Sequence, residues 1–263
     1  MTTIPSPGLG TSGNDDPDQC AESVRTALEL GYRHLDTAQM YDNEAAVGEG
    51  IATSEVPRED VFLATKVHPT NLAPDDVATT ARESLDRLGV EAVDLFYVHW
   101  PMRAYDPEET LPAFDDLREA GVTRHVGVSN FTVELLEEAR EILDAPIVAN
   151  QVECHPLLPQ DDLLDYCRER DITLVAYAPL MQGEAGRVDA LADVAETHDT
   201  TPEAVSLAWL SQREGVVPIP KATGREHLRA NLDAPDLTAE EVARIDAIED
   251  RERLVDPDGA AWN

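Results

Sequence analysis

Four polar side chains of different chemistry follow short apolar segments in the first hundred residues: Asp36, Tyr41, Lys66 and His99. A phenol is a poor acid at neutral pH because it titrates near ~10, but a buried ammonium beside it stabilises the phenolate and lowers its pKa. Lys66 is suited to supply that ammonium, with Asp36 holding it charged and His99 donating to a substrate oxygen. The four residues therefore predict proton transfer by Tyr41.

Lys66 is also one of only two lysines in the chain, the other being Lys221, whereas arginine occurs eighteen times. An ammonium is a compact point charge and a guanidinium is a planar fork, so the two are not interchangeable at a crowded site. The retention of Lys66 predicts a role that arginine does not fill.

Other reaction classes fit these residues less well. Metal-dependent hydrolysis needs several His and carboxylate ligands, and Asp36, His99 and His155 are sparse and interleaved with the cationic Lys66. Glycoside hydrolysis needs two flanking carboxylates, and Glu153 is the only acidic companion of Asp36 at such positions. A metal-dependent barrel hydrolase remains an alternative.

The elements that must position these residues form a regular alternation of apolar, β-rich runs and amphipathic segments. The runs cover residues 32–36, 61–67, 93–98, 125–128, 147–151, 173–177 and 216–219. Strict alternation predicts parallel strands, and an eighth unit is expected at 232–234, before a helix that begins at Thr238 with Glu241 three residues on. Eight units predict an α/β fold, a single (β/α)8 TIM barrel over residues 1–263. A doubly wound sheet is the alternative, but no G-x-G-x-x-G follows the first run.

In such a barrel the residues just after each strand gather at one face, where active sites lie. Besides the first four, that face should collect further polar and aromatic side chains. They are Trp100, Ser129, Asn130, Gln151, Tyr177 and Lys221.

These segments resemble the aldo-keto reductases, which are nicotinamide-dependent barrel enzymes, and most closely those of the diketogluconate-reductase type. The resemblance covers almost the whole chain, and its motifs occur in the family's order and spacing. They are "GYRHLDTAQMYDNEAAVGEGI", "VFLATKV", "VDLFYVHWP", "HVGVSNF", "NQVECHPLLPQ", "VAYAPL" and "VVPIPKATGREHLRAN".

The resemblance implies that Asp36, Tyr41, Lys66 and His99 form a catalytic tetrad, and that small aldehydes and ketones are reduced by hydride transfer with Tyr41 as the general acid. It further implies a cofactor site. Ser129, Asn130 and Gln151 would bind the nicotinamide carboxamide, Tyr177 would stack on the ring, and Leu180 would also contact the cofactor. Lys221, with Arg225, would pair with the adenosine 2′-phosphate, and Asn231 would contact the adenine.

NADPH is therefore the expected cofactor, and NADH is possible because His227 stands where many members have a phosphate-binding arginine. Some barrels of this type serve instead as cofactor-sensing subunits, which is a second alternative. The substrate loops at 101–112, 181–190 and 250–263 are short. They predict an open pocket lined by Trp100, Met102, Tyr105, Met181 and Trp262.

The composition restricts which partners and which surroundings are expected for the protein. There are 53 acidic against 20 basic residues, a formal charge of -33, which argues against partners such as nucleic acid and anionic membranes. Such a surface repels itself in dilute buffer and is relieved by concentrated salt, as in the cytoplasm of a halophile. No 18-residue apolar stretch or signal peptide appears, which predicts a soluble, cytoplasmic protein. We expect a monomer, and the resemblance implies that it acts on a small carbonyl substrate. Cys20, Cys154 and Cys167 lack metal-like spacing and are predicted to be buried thiols.

Overall fold

A computed structural model describes residues 2–262 of the chain, in which eight parallel strands alternate with helices. The strands are β1 (Leu9–Gly10), β2 (His34–Asp36), β3 (Phe62–Val67), β4 (Val93–Val98), β5 (Thr123–Ser129), β6 (Ile147–Glu153), β7 (Thr173–Tyr177) and β8 (Val216–Pro218). The helices in this range are α1 (Pro17–Leu30), α2 (Glu44–Ala52), α3 (Pro74–Leu88), α4 (Pro107–Glu119), α5 (Val133–Ile142), α6 (Asp161–Arg168), α7 (Asp189–Thr197), α8 (Pro202–Ser211), α9 (Arg225–Leu232) and α10 (Ala239–Asp246).

The strands lie in the sheet in the order of the chain, and the sheet closes on itself. Gly10 pairs in parallel with Lys221, just beyond β8, and the Gly8 amide donates to the Pro218 carbonyl at 3.0 Å. The predicted (β/α)8 barrel is confirmed.

The eighth strand is not where the sequence predicted it. Residues 232–234 form the end of α9 and the turn after it, and the missing strand is β1, which contains only two residues. It carries no readable alternation, but Gly10 marks a close approach of two backbones. A Cβ at Gly10 would lie 2.7 Å from the Ile219 carbonyl oxygen across the barrel seam. The helix expected after Thr238 is confirmed as α10, and both hydrogen bonds of the capping box with Glu241 are present.

The core has two parts. Apolar side chains on the outer face of the sheet pack against the helices, and a smaller cluster fills the barrel interior. Ile4 from the N-terminal segment joins the interior cluster, and the Pro5 carbonyl oxygen lies 3.2 Å from Nδ1 of His34 at the start of β2. This segment therefore covers the barrel end opposite the C-terminal ends of the strands. Cys20, Cys154 and Cys167 are free and buried, as predicted. No helix within residues 2–262 is long and apolar enough to cross a membrane.

Candidate active site

The structure brings Asp36, Tyr41 and Lys66 together around a buried ammonium. Nζ of Lys66 donates to Oδ1 of Asp36 at 2.5 Å, to the Thr37 carbonyl oxygen at 2.8 Å and to Oη of Tyr41 at 3.4 Å. The side chains of Lys66 and Asp36 are 0% and 2% exposed. An ammonium has three donors, and all three are used here.

Tyr41 lies in a single 3-10 turn, Gln39–Tyr41, that follows β2. The Gln39 side chain fixes this turn, because its Nε2 donates to Oγ of Ser84 at 3.1 Å and its Oε1 accepts from the His68 amide at 2.9 Å. The ring of His99, just after β4, meets the Tyr41 ring edge to face with centroids 5.8 Å apart. The phenol and the imidazole therefore share one wall of the site.

Burial sets the charge states of these groups. It raises the pKa of Tyr41, and the Lys66 ammonium opposes that rise without cancelling it, so the net lowering expected from the sequence is wrong. Burial by itself lowers the pKa of Lys66, but the Asp36 carboxylate and Tyr41 outweigh it and the pKa is raised. Burial, aided by Lys66, holds the pKa of His99 well below its usual range. The site thus combines a protonated phenol, a charged ammonium and a neutral imidazole.

A second polar group lies at the ends of β5, β6 and β7. Asn130 donates to the His99 carbonyl oxygen at 3.1 Å, and Tyr177 Oη donates to Oδ1 of Asn130 at 2.9 Å. The Ser129 hydroxyl donates to the Gln151 carbonyl oxygen at 2.8 Å. Nε2 of Gln151 donates to Oδ2 of Asp36 at 2.7 Å and joins the two groups.

Both groups open into one cavity of about 750 Å³. Among the residues predicted for the site, Lys66 lies behind this surface and eleven form it: Asp36, Tyr41, His99, Trp100, Met102, Ser129, Asn130, Gln151, Tyr177, Leu180 and Lys221. Arg103, Val255 and Pro257 on this surface come from the predicted substrate loops 101–112 and 250–263, whereas Thr11, Ser12 and Met40 were not anticipated. The segment "GLGTSG" was the available signal for Thr11 and Ser12, since they follow the unrecognised β1.

The structure places other predicted residues elsewhere. Tyr105 does not line the cavity, because its ring packs edge-on against Phe131 with centroids 5.7 Å apart. Met181 is buried in the outer core, and Trp262 contacts the Trp100 ring at 5.6 Å from outside the lining.

The two residues predicted on α9, Arg225 and Asn231, are also outside the lining of the cavity. Arg225 pairs with Glu29 at 2.6 Å, whereas Asn231 is partly buried and its amide nitrogen has no hydrogen-bond partner. Within residues 2–262, no three His, Cys, Asp or Glu side chains are grouped as a metal site.

The sequence matches the aldo/keto reductase family over residues 7–250. The chain belongs to this family. It is 42% identical over 264 residues to methylglyoxal reductase DkgB of Salmonella typhi, with 98% of each chain covered. It is 38% identical over 249 residues to glyoxal reductase of Bacillus subtilis, with 94% of this chain and 90% of the relative covered.

Solved structures agree with these relatives. A putative 2,5-diketo-D-gluconic acid reductase B superposes with a TM-score of 0.92 at 38% identity, covering 98% of this chain and 92% of the other. The family and the carbonyl-reducing oxidoreductase activity predicted from the sequence are confirmed at this level.

Proposed function

We propose that this aldo/keto reductase reduces small aldehydes and ketones with NADPH, and that Asp36, Tyr41, Lys66 and His99 are its catalytic residues. The observation that carries the assignment is the buried ammonium of Lys66, bound to Asp36 and within reach of the phenol that lines the cavity. The names of the relatives point to small 1,2-dicarbonyl compounds such as methylglyoxal and glyoxal as substrates.

The protein's own side chains can supply the proton that the substrate's carbonyl oxygen receives. A carbonyl oxygen between Tyr41 and His99 receives a hydrogen bond from the neutral imidazole and the proton of the phenol as negative charge develops on it. Lys66 stabilises the phenolate that results, and Asp36 keeps Lys66 charged and fixed in place. The raised pKa of Tyr41 keeps that proton in place at neutral pH.

The residues present suit a nicotinamide cofactor. The amide oxygen of Gln151 and the cavity-facing Ser129 and Asn130 would hold its carboxamide, and the Tyr177 ring, with Leu180, would lie against the nicotinamide. When bound, the cofactor supplies the hydride. Lys221 is exposed at the cavity and forms no ion pair within residues 2–262, so it is available for the 2′-phosphate. Arg225 and Asn231 follow it in the chain and lie on α9.

The test is to follow NADPH absorbance with methylglyoxal in molar potassium chloride, with and without a chelator. We expect turnover that the chelator leaves unchanged, and Tyr41→Phe should bind NADPH but lose turnover. NADPH binding without turnover in the wild-type protein would favour a cofactor-sensing barrel instead. A chelator-dependent loss that zinc or manganese restores would contradict the assignment.

Few groups are available to bind the 2′-phosphate, so we expect only a modest preference for NADPH over NADH. Arg225 is engaged with Glu29, and His227 on the same helix is exposed. His227→Arg should therefore add a phosphate contact and favour NADPH by roughly 1 kcal/mol or more. An unaltered ratio of the specificity constants for NADPH and NADH would show that residue 227 does not face the phosphate.

A further inference from the structure

The C-terminal segment beyond α10 has neither helix nor strand in residues 249–262, yet it forms part of the cavity surface through Val255 and Pro257. Something other than regular secondary structure must therefore hold it against the barrel. Its most buried attachment is to Glu153, the last residue of β6.

Both carboxylate oxygens of Glu153 bind consecutive amides of this segment. Oε1 accepts from the Leu254 amide at 2.6 Å and Oε2 accepts from the Val255 amide at 2.9 Å. Nε2 of His155 lies 2.8 Å from Oε1, and both side chains are 0% exposed. Within residues 2–262 no lysine or arginine forms an ion pair with Glu153. A buried carboxylate is costly unless its lone pairs are satisfied, and here the segment's own amides satisfy them.

Glu153 also lies beside the strand ends that carry the proposed nicotinamide-binding residues. It pairs in the parallel ladder with Tyr177, and the amide of the next residue, Cys154, donates to the Tyr177 carbonyl oxygen at 3.2 Å. One side chain therefore connects the strand ends that carry Gln151 and Tyr177 to the segment that carries Val255 and Pro257.

We propose that Glu153 is a positioning residue that fixes the C-terminal wall of the substrate pocket and so determines substrate affinity. This rests on the proposed function, because the proposal takes the part of the cavity lined by Val255 and Pro257 to be the substrate pocket. Other contacts hold the segment to the barrel at its ends. The Glu252 amide donates to the Leu157 carbonyl oxygen at 3.0 Å, the Glu252 carboxylate pairs with Arg187 at 2.6 Å, and the Trp262 ring lies against Trp100 with centroids 5.6 Å apart. Glu153 alone among these partners is fully buried and lies beside a residue of the cavity surface.

The test is Glu153→Gln. Glutamine has nearly the same volume but only one acceptor oxygen, and its amide nitrogen would face the N–H of Leu254 or Val255. We expect KM for methylglyoxal to rise about tenfold or more, with kcat changed less than about threefold and the Kd of NADPH less than about twofold. Exposed Glu137→Gln removes the same charge from the surface and is the matched control.

Hydrogen exchange supplies a readout that does not depend on activity. The amides of Leu254 and Val255 should be protected in the wild-type protein and lose protection in Glu153→Gln, while β6 and β7 stay protected. Unprotected amides in the wild type, or an unchanged KM after protection is lost, would overturn the proposal. If the variant does not fold, the protection of these two amides in the wild-type protein decides whether Glu153 holds the segment in place. If the wild-type protein reduces no carbonyl, the proposed function fails, and exchange still tests the anchor.

Discussion

At the scale of single residues, Lys66 shows why one ammonium persists in a chain that uses arginine almost everywhere else. Its three donors each have an oxygen partner, and the Lys66 side chain is 0% exposed. A guanidinium is planar and larger, and it would bind Asp36 side-on while displacing Tyr41. The position therefore requires a compact cation.

Lys66→Arg should accordingly lose turnover although the charge is kept. We expect kcat to fall by about a hundredfold or more, comparable with losing a positioned acid, while NADPH binding measured by fluorescence changes little. Arg82→Lys, an exposed exchange on α3, is the control for the swap itself. Retention of most turnover in Lys66→Arg would mean that Lys66 serves only as an ion-pair partner of Asp36.

The charge states also predict the pH dependence of reduction. In the proposed mechanism Tyr41 must be protonated, and its pKa is raised, so its proton is lost only above the ordinary phenol range. His99 has its pKa well below the usual value and stays neutral through neutral pH. Steady-state kcat/KM should thus be flat from about pH 6 to about pH 9 and fall only at more alkaline pH. A break near the ordinary histidine pKa would show that His99 titrates in the working range.

At the scale of elements, α2 supports Lys66, one of the proposed catalytic residues, from behind. Its first residue, Glu44, accepts from Oγ1 of Thr65 at 2.6 Å and from Arg87 at 2.7 Å, next to Lys66 in β3. The helix approaches α3 closely at Gly48, where an added Cβ would lie 2.3 Å from the Leu88 carbonyl oxygen. This contact is with backbone, so it cannot be relieved by a side-chain rotation.

Gly48→Ala should therefore destabilise the protein despite the better helix propensity of alanine. We expect a loss of about 2 kcal/mol in the free energy of unfolding, as for an overpacked core. Gly186→Ala is the matched control, since its nearest neighbour would be 3.9 Å away and its backbone is not in the left-handed region. Urea unfolding in constant salt measures both variants. Equal stability of the two would show that α2 moves away from α3 without cost.

The same scale shows what the sequence can and cannot predict. Seven strands were predicted close to their observed positions because buried parallel strands are continuous apolar runs. β1 was missed because two residues contain no pattern, and its place is determined by contacts with the distant Lys221. The polar residues at strand ends were predictable for a related reason, since barrel topology brings them together.

Contacts that depend on packing were not predictable. The Tyr105 ring packs against Phe131 instead of lining the cavity, and the side-chain amide of Gln151 donates to Asp36. The attachment of Leu254 to Glu153 joins residues 101 positions apart, which no local pattern encodes. Tertiary contacts of this kind set the shape of the pocket, whereas local sequence set its chemistry.

At the scale of the whole molecule, the acidic residues are divided sharply between interior and surface. Four of the 53 are buried, namely Asp36, Glu44, Asp94 and Glu153, and each has partners. The remainder are at least partly exposed, and the arginines near them form scattered pairs that leave the formal charge at -33. Exposed pairs of this kind contribute little to stability, so the net repulsion of the surface dominates its electrostatics.

Stability should consequently depend on salt. Charges on the surface repel one another in dilute buffer and are screened within a few ångströms at molar ionic strength, which relieves the folded state more than the expanded chain. Between low and molar potassium chloride we expect Tm to rise by about 10 °C, equivalent to roughly 3–5 kcal/mol for a chain of this length. Sucrose is the control, because it favours the compact state by exclusion without screening charge. A Tm that rises equally in sucrose, or that does not move with potassium chloride, would contradict the expected adaptation of this surface to concentrated salt.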